Sequence, residues 1–284
     1  MGIVMGKRGI LEKFAVMVSA PDSDINLAGA ALAIARNEYP DLDISAYLQR
    51  LRLMTDELRQ RVLGCNGVRD TVSALNGYLF DELGFSGNLS DFNDPRNSFL
   101  NDVLDRKLGI PISLSVIYME LGRCLGLPVS GVSFPGHFLV KINTDAGDLV
   151  LDPFSGGISL DRQELEQRLE HSAGTKSGNR PLEELLRPAG NKQILARVLR
   201  NLKTIYLDAE DYARALDMVN FALALSPGKA AEIRDRAFIY DQMNCYRAAM
   251  VDYQDYLMVS HGPEDAPYVK TRIADLKLTI RRLH

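Results

Sequence analysis

Residues 97–157 read NSFLNDVLDRKLGIPISLSVIYMELGRCLGLPVSGVSFPGHFLVKINTDAGDLVLDPFSGG, and the change of period inside this stretch decides the fold. From Pro111 the apolar residues recur at helical spacing until Gly126-Leu127-Pro128 ends the run, as glycine and proline end helices. Short runs rich in β-branched and aromatic residues follow: GVSF, HFLVKI and DLVLD. In the second, Phe138, Val140 and Ile142 share one face of a strand, and His137, Leu139 and Lys141 the other. Asn143-Thr144-Asp145-Ala146-Gly147 is turn chemistry, so the last two runs form an antiparallel hairpin. Helices followed by such a sheet predict an α+β domain.

Upstream, the pattern stays helical. Ile25, Leu27, Ala28, Ala31, Leu32 and Ala35 form a stripe ahead of Pro40, and Asp43 precedes a second amphipathic face at Ile44, Tyr47, Leu48, Leu51 and Met54. Val72, Leu75, Leu79 and Leu83 continue to Gly84, and a polar loop, FSGNLSDFNDPRN, leads into the deciding stretch.

Downstream, HSAGTKSGNRP (171–181) reads as a connector, and beyond it the chain repeats. Tyr206 and Tyr240, Tyr212 and Tyr246, Ala215 and Ala249 are each 34 apart; Leu199 matches Ile233, and Leu216 matches Met250. A 34-residue helical period with small residues at fixed places, closed by Pro227, resembles the tetratricopeptide repeat. Two repeats and a last helix near 266–283 make a short stack. Its concave side suits a protein or peptide partner, and Arg200 and Arg234, again 34 apart, are candidates to grip carboxylates there, or else solvated surface charges.

Composition narrows the function classes. With 284 residues, 46% hydrophobic and 25% charged, the chain is neither disordered nor fibrous. A net charge of −4 and a pI near 5.7 disfavour a nucleic-acid-coating protein. Three unpaired-looking cysteines (Cys65, Cys124, Cys245) argue against a disulfide framework or zinc site and for a reducing, cytoplasmic setting. The N-terminus makes a poor signal peptide because Glu12 and Lys13 interrupt it, and no stretch approaches the ~20 apolar residues of a membrane span. No glycine-rich nucleotide fingerprint or metal-ligand cluster is present, so no cofactor and no metal are expected.

Four histidines bear on catalysis. His284 is terminal, His261 falls in a repeat turn and His171 borders the connector, which leaves His137 at the opening of its strand. If His137 faces Asp152 across the hairpin, Thr144 and Asp145 form the tip, and the pair constitutes the base and orienting acid of a nucleophilic relay or a structural polar link. Asn97, Asn101 and Asp105 recur at i, i+4, i+8 if 97–106 is one helix, forming a polar stripe that either braces the loop or lines a pocket beside His137.

The segment from Asn97 to Gly157, with the C-terminal repeats, resembles the SirB family of transglutaminase-like proteins. The resemblance implies a papain-like core of about 40–170 inside a domain of 1–175 that carries an N-terminal helical extension, and a repeat region of 186–284. In active members of the wider superfamily a Cys opens the helix, a His lies on one strand and an Asp on the next; His137 and Asp152 match the latter two. Two residues after Gly109, where the thiol is expected, stands Pro111. Cys124 lies at the wrong end of that helix, where the dipole disfavours a thiolate. Ser113 and Ser115 occupy its first turns, as caps or as weak substitutes for the thiol. The expectation is therefore a non-catalytic scaffold or regulatory protein, with conventional thiol catalysis disfavoured. The alternative is an atypical hydrolase or amide-transfer enzyme using His137 and Asp152 with a serine or water. Substrate, partner and oligomeric state are not legible.

Overall fold

A computed structural model describes residues 2–145, 147–171, 180–260, 262 and 264–282. His261, His284, Ala146 and most of the 171–181 connector lie outside the described residues. Two compact units divide the chain: residues 20–198, and residues 1–19 together with 199–284.

In the 20–198 unit, α2 (Leu27–Glu38) starts at Asn26, whose side chain accepts the Gly29 N–H. Its alanine-rich surface is buried on nearly every side, wider than the single stripe read from sequence. Asp43 caps α3 (Ile44–Val62) by accepting the N–H groups of Ser45 and Ala46. After α4 (Val68–Asn76) the helix widens into a π-turn over Gly77–Glu82 and stops at Gly84, whose φ of 74° suits glycine. Within the polar loop, β1 (Ser86–Gly87) pairs in parallel with β2 (Leu108–Gly109) on either side of α5 (Leu100–Arg106). Then α6 (Pro111–Cys124) begins with proline at its first turn, where no backbone N–H is needed, and ends before Gly126 at φ 79°.

The main sheet has five antiparallel strands in the order β6-β5-β4-β3-β7: β3 (Val129–Val132), β4 (Leu139–Thr144), β5 (Gly147–Asp152), β6 (Ile158–Leu160) and β7 (Pro188–Ala189). The outermost strands, three and two residues long, fall below what periodicity can reveal. One face meets α6, where Met119 and the Phe138 ring crowd Gly131 so closely that a Cβ there would clash with the ring. The other carries Val132, Leu139, Val150 and Leu160, and is covered by Leu165 of α7 (Arg162–His171) and by Leu182 and Leu185 of α8 (Leu182–Leu185). Helices on both faces explain why β4 buries residues of both parities instead of alternating with solvent.

In the second unit, α1 (Gly2–Val18) packs on α10 (Tyr212–Leu225): Phe14 is fully buried, its ring 4.9 Å from that of Phe221, and Lys7 is ion-paired with Asp217 at 2.6 Å. The first helix thus joins the repeats rather than the 1–175 segment. Its apolar face marks it as packed but names no partner. At the other end the division between the two units falls inside α9 (Asn191–Asp208). Stacked helices follow: α11 (Ala230–Gln242), α12 (Tyr246–Val259) and α13 (Ala266–Arg282). Ala215 and Ala249, the repeated small residues, are completely buried. Lys203 bridges Glu232 at 2.7 Å and Asp235 at 2.6 Å, and Arg236–Asp252 and Arg272–Asp241 tie successive helices.

Candidate functional site

The hairpin register differs from the one that would set His137 against Asp152. Val140 faces Leu151 and Thr144 faces Gly147, so the apex of the hairpin lies one residue further along the chain and Leu139, not His137, is level with Asp152. His137 stands before the strand, in the turn after Phe134-Pro135-Gly136, where its N–H bonds the Phe134 carbonyl. Gly136 supplies the left-handed φ of 70° that the turn requires. The imidazole still reaches back, and Nε2 lies 2.9 Å from Asp152 Oδ1. Its Phe154 neighbour meets it edge-on, ring centroids 5.9 Å apart.

Asp152 is the centre of the arrangement. Fully buried, it accepts from His137 and from the Phe154 N–H through Oδ1, and from the Ser155 hydroxyl and the Arg168 guanidinium through Oδ2, the last at 2.7 Å. Burial alone would raise its pKa, but the hydrogen bonds and charges of His137, Arg168 and Ser155 prevail and hold it at about 2. Alternation along β5 sets Asp152 on the face of Val150, the face that α7 covers, which is why Arg168 meets it. With Nε2 donating to a carboxylate, His137 Nδ1 is left as the basic nitrogen. Beside it lies an open cleft of about 490 Å³ lined by Pro135, Gly136, His137, Leu160, Glu164, Gln167, Arg168 and His171.

The serines at the start of α6 are placed otherwise. Ser113 Oγ accepts the Ile110 N–H at 3.0 Å and donates to the Asn97 carbonyl at 2.6 Å, so its hydroxyl is committed to the backbone. Ser115 is completely buried and its hydroxyl bonds nothing among the described residues. Neither reaches His137 by a hydrogen bond among the described residues. Pro111 is buried at the head of the helix.

The polar stripe read at 97, 101 and 105 does not form, because α5 opens only at Leu100. Asn97, in the preceding turn, is buried; its amide donates to the Asp91 carbonyl at 2.7 Å and its oxygen accepts from Asn88. Asn101 is buried with Oδ1 unbonded, whereas Asp105 lies on the surface, paired with Arg50 and accepting the Tyr47 hydroxyl. In the repeats, Arg200 is exposed, and Arg234 is engaged with Asp265 at 3.3 Å and Asp235 at 3.4 Å beside the Tyr256 ring. Arg168 and Ser155 escaped the sequence reading, since no spacing rule links α7 to the end of β5. Only the burial of Leu165, three residues before Arg168 on α7, turns that side chain toward the sheet.

A family model described as the transglutaminase-like superfamily matches residues 45–200, more than half of the chain. The chain belongs to that superfamily. A tetratricopeptide-repeat model matches residues 202–274 of this transglutaminase-like protein. A UPF0162 protein of Xylella fastidiosa is 40% identical over 261 residues, covering 92% of this chain and 93% of the relative. One from Vibrio cholerae is 33% identical over 267 residues, covering 90% and 96%. Protein SirB1 of Salmonella typhimurium is 28% identical over 260 residues, covering 88% and 92%. The transglutaminase-like chain is thus SirB-like along nearly its whole length, and its α+β unit and helical repeats agree with the expected fold class. Among the described residues, no helix is long and apolar enough to cross a membrane.

Proposed function

We propose that this protein is a non-catalytic member of its superfamily, a scaffold or regulatory factor that has kept a base and its orienting acid without a nucleophile. One observation carries the reading: among the described residues no hydroxyl or thiol is hydrogen-bonded to His137, whose imidazole meets a carboxylate and a phenyl ring. Proline stands where the resemblance calls for the thiol. Ser113 is closed by its two backbone partners. A relay without its nucleophile retains only residual binding contributions, orders of magnitude below full activity. The His137–Asp152 pair then serves as a polar clasp joining the turn before β4, β5 and α7. The helical repeats present a surface of the kind that takes protein or peptide partners, with Arg200 as an exposed donor on it.

A second reading, hydrolysis or amide transfer through water polarised by His137, is favoured by the open cleft that His137 helps to line. Treating the full chain with a cysteine-reactive iodoacetamide probe and a serine-reactive fluorophosphonate probe tests the first reading. Labelling that is indifferent to His137→Ala is expected. Labelling that disappears with His137→Ala or Ser115→Ala, or His137-dependent turnover of amide and ester substrates, would overturn it.

A further inference from the structure

The cleft at His137 has a lining that the clasp leaves unexplained. We infer that it is a recognition site for a single carboxylate group borne on a short peptide, with Arg168 as the anchor; this rests on the binding reading above, in taking the cleft as a surface that holds rather than transforms its occupant.

Arg168 is fixed before any ligand arrives. Its Nη1 is held 2.7 Å from Asp152 Oδ2, and Asp152 is itself immobilised by three further bonds. A guanidinium offers five N–H donors in a planar fork. No other bond to Arg168 occurs among the described residues, and its side chain, 32% exposed, lines the cleft. A planar donor edge held in place from behind by a buried carboxylate matches the two oxygens of a second carboxylate, with little rotamer entropy left to lose.

The flanking groups fit the same occupant. His171 Nδ1 donates to the Gln167 carbonyl at 2.7 Å, so its Nε2, and likewise His137 Nδ1, would donate to a bound carboxylate only as an imidazolium. Leu160 and Pro135 supply apolar surface for the chain that carries the carboxylate. Charge selects against polyanions, because Asp152 already balances Arg168 and Glu164, one of whose oxygens accepts the Asp161 N–H, adds a negative charge to the rim. A phosphate dianion would face those two carboxylates with twice the charge of a monocarboxylate on a neutral body. A volume of about 490 Å³ lies within the range of small-ligand sites.

The test is an NMR titration of the full chain, following the Arg168 Nε–H and the His137 and His171 ring signals. The probes are acetyl-trialanine as free acid, its C-terminal amide, an acetylated and amidated peptide carrying one glutamate, and inorganic phosphate. The free acid should bind at least about tenfold more tightly than its amide, since a charge-assisted fork is lost on amidation. Arg168→Lys, which keeps the charge but not the fork, should reduce that preference to about threefold or less. Because Arg168 variants also disturb Asp152, His171→Ala serves as a second variant that leaves the clasp whole; it should weaken the free acid and leave the amide unchanged. Tight binding of the glutamate peptide would assign the carboxylate to a side chain, and its failure beside a binding free acid would assign it to a chain terminus. Equal binding of acid and amide, preference for phosphate, or unmoved ring and guanidinium signals would each overturn the inference. A silent titration with no covalent labelling leaves the non-catalytic reading standing, so the two failures are separable.

Discussion

Replacing Asp152 by asparagine preserves the size of the side chain and removes its charge, and the structure fixes what that costs. The amide oxygen can still accept from His137 and the Phe154 N–H, but the amide NH2 then confronts two donors, the Arg168 guanidinium and the Ser155 hydroxyl. Losing one charge-assisted bond and one neutral bond costs roughly 2–4 kcal/mol, discounted toward the lower figure because Arg168 is partly hydrated. The lowered pKa gives the same order: a fall from 3.8 to about 2 corresponds to about 2 kcal/mol. We therefore expect Asp152→Asn to destabilise the 20–198 unit by about 2–3 kcal/mol at neutral pH. The carboxyl group's pKa is lower folded than unfolded, so its contribution is complete above about pH 4 and is lost as pH falls through about 2. Urea unfolding of the full chain, read by hydrogen exchange at β4 and β5 amides so that the repeats do not mask the transition, checks both statements. Parent and variant should converge in stability between about pH 4 and about pH 2. A variant within about 0.5 kcal/mol of the parent at neutral pH, or a gap that persists undiminished in acid, would refute the account of Asp152 as a charged clasp.

Other perturbations test the surroundings. Ser113→Ala removes the partner of two buried backbone groups and should cost about 1–3 kcal/mol in chemical denaturation; no measurable loss would mean the hydroxyl is free for other work. Gly157→Ala should lower the thermal midpoint, because φ is 73° and a Cβ would stand 2.5 Å from Asn76 Oδ1, the atom that accepts the Tyr118 hydroxyl; an unchanged midpoint would contradict that packing. In the repeats, Ala249→Leu overfills a completely buried site and should cost about 1–3 kcal/mol, with circular dichroism showing the loss. Tolerance there would show that the helices have room to separate.

Local signals carried the helices, the hairpin and the repeat. Asp43, Pro111 and Gly126 act within one or two turns of their own positions, and a 34-residue period needs no knowledge of space. The same locality explains the site readings that failed. Asn97, Asn101 and Asp105 share a spacing, yet the helix starts at Leu100, because the Asp94-Pro95-Arg96 turn, in which Asp94 accepts the Arg96 N–H, claims the preceding residues. His137 and Asp152 were found as types at the ends of two strands, but their register depends on where the turn falls, and Gly147, at φ 113° opposite Thr144, sets it one residue later than a His137–Asp152 pairing requires.

What the sequence by itself determined is therefore the set of elements, their order and the two titratable partners, since each follows from residues adjacent in the chain or on one repeating face. The tertiary structure alone decided that α1 packs with the repeats, that Ser113 is spent on the backbone, and that Arg168 and Ser155 complete the Asp152 clasp. Those outcomes turn on which apolar surfaces meet and which buried polar groups then find partners. Both are settled between segments far apart in sequence, when Leu165 is buried against the sheet and Phe14 against Phe221.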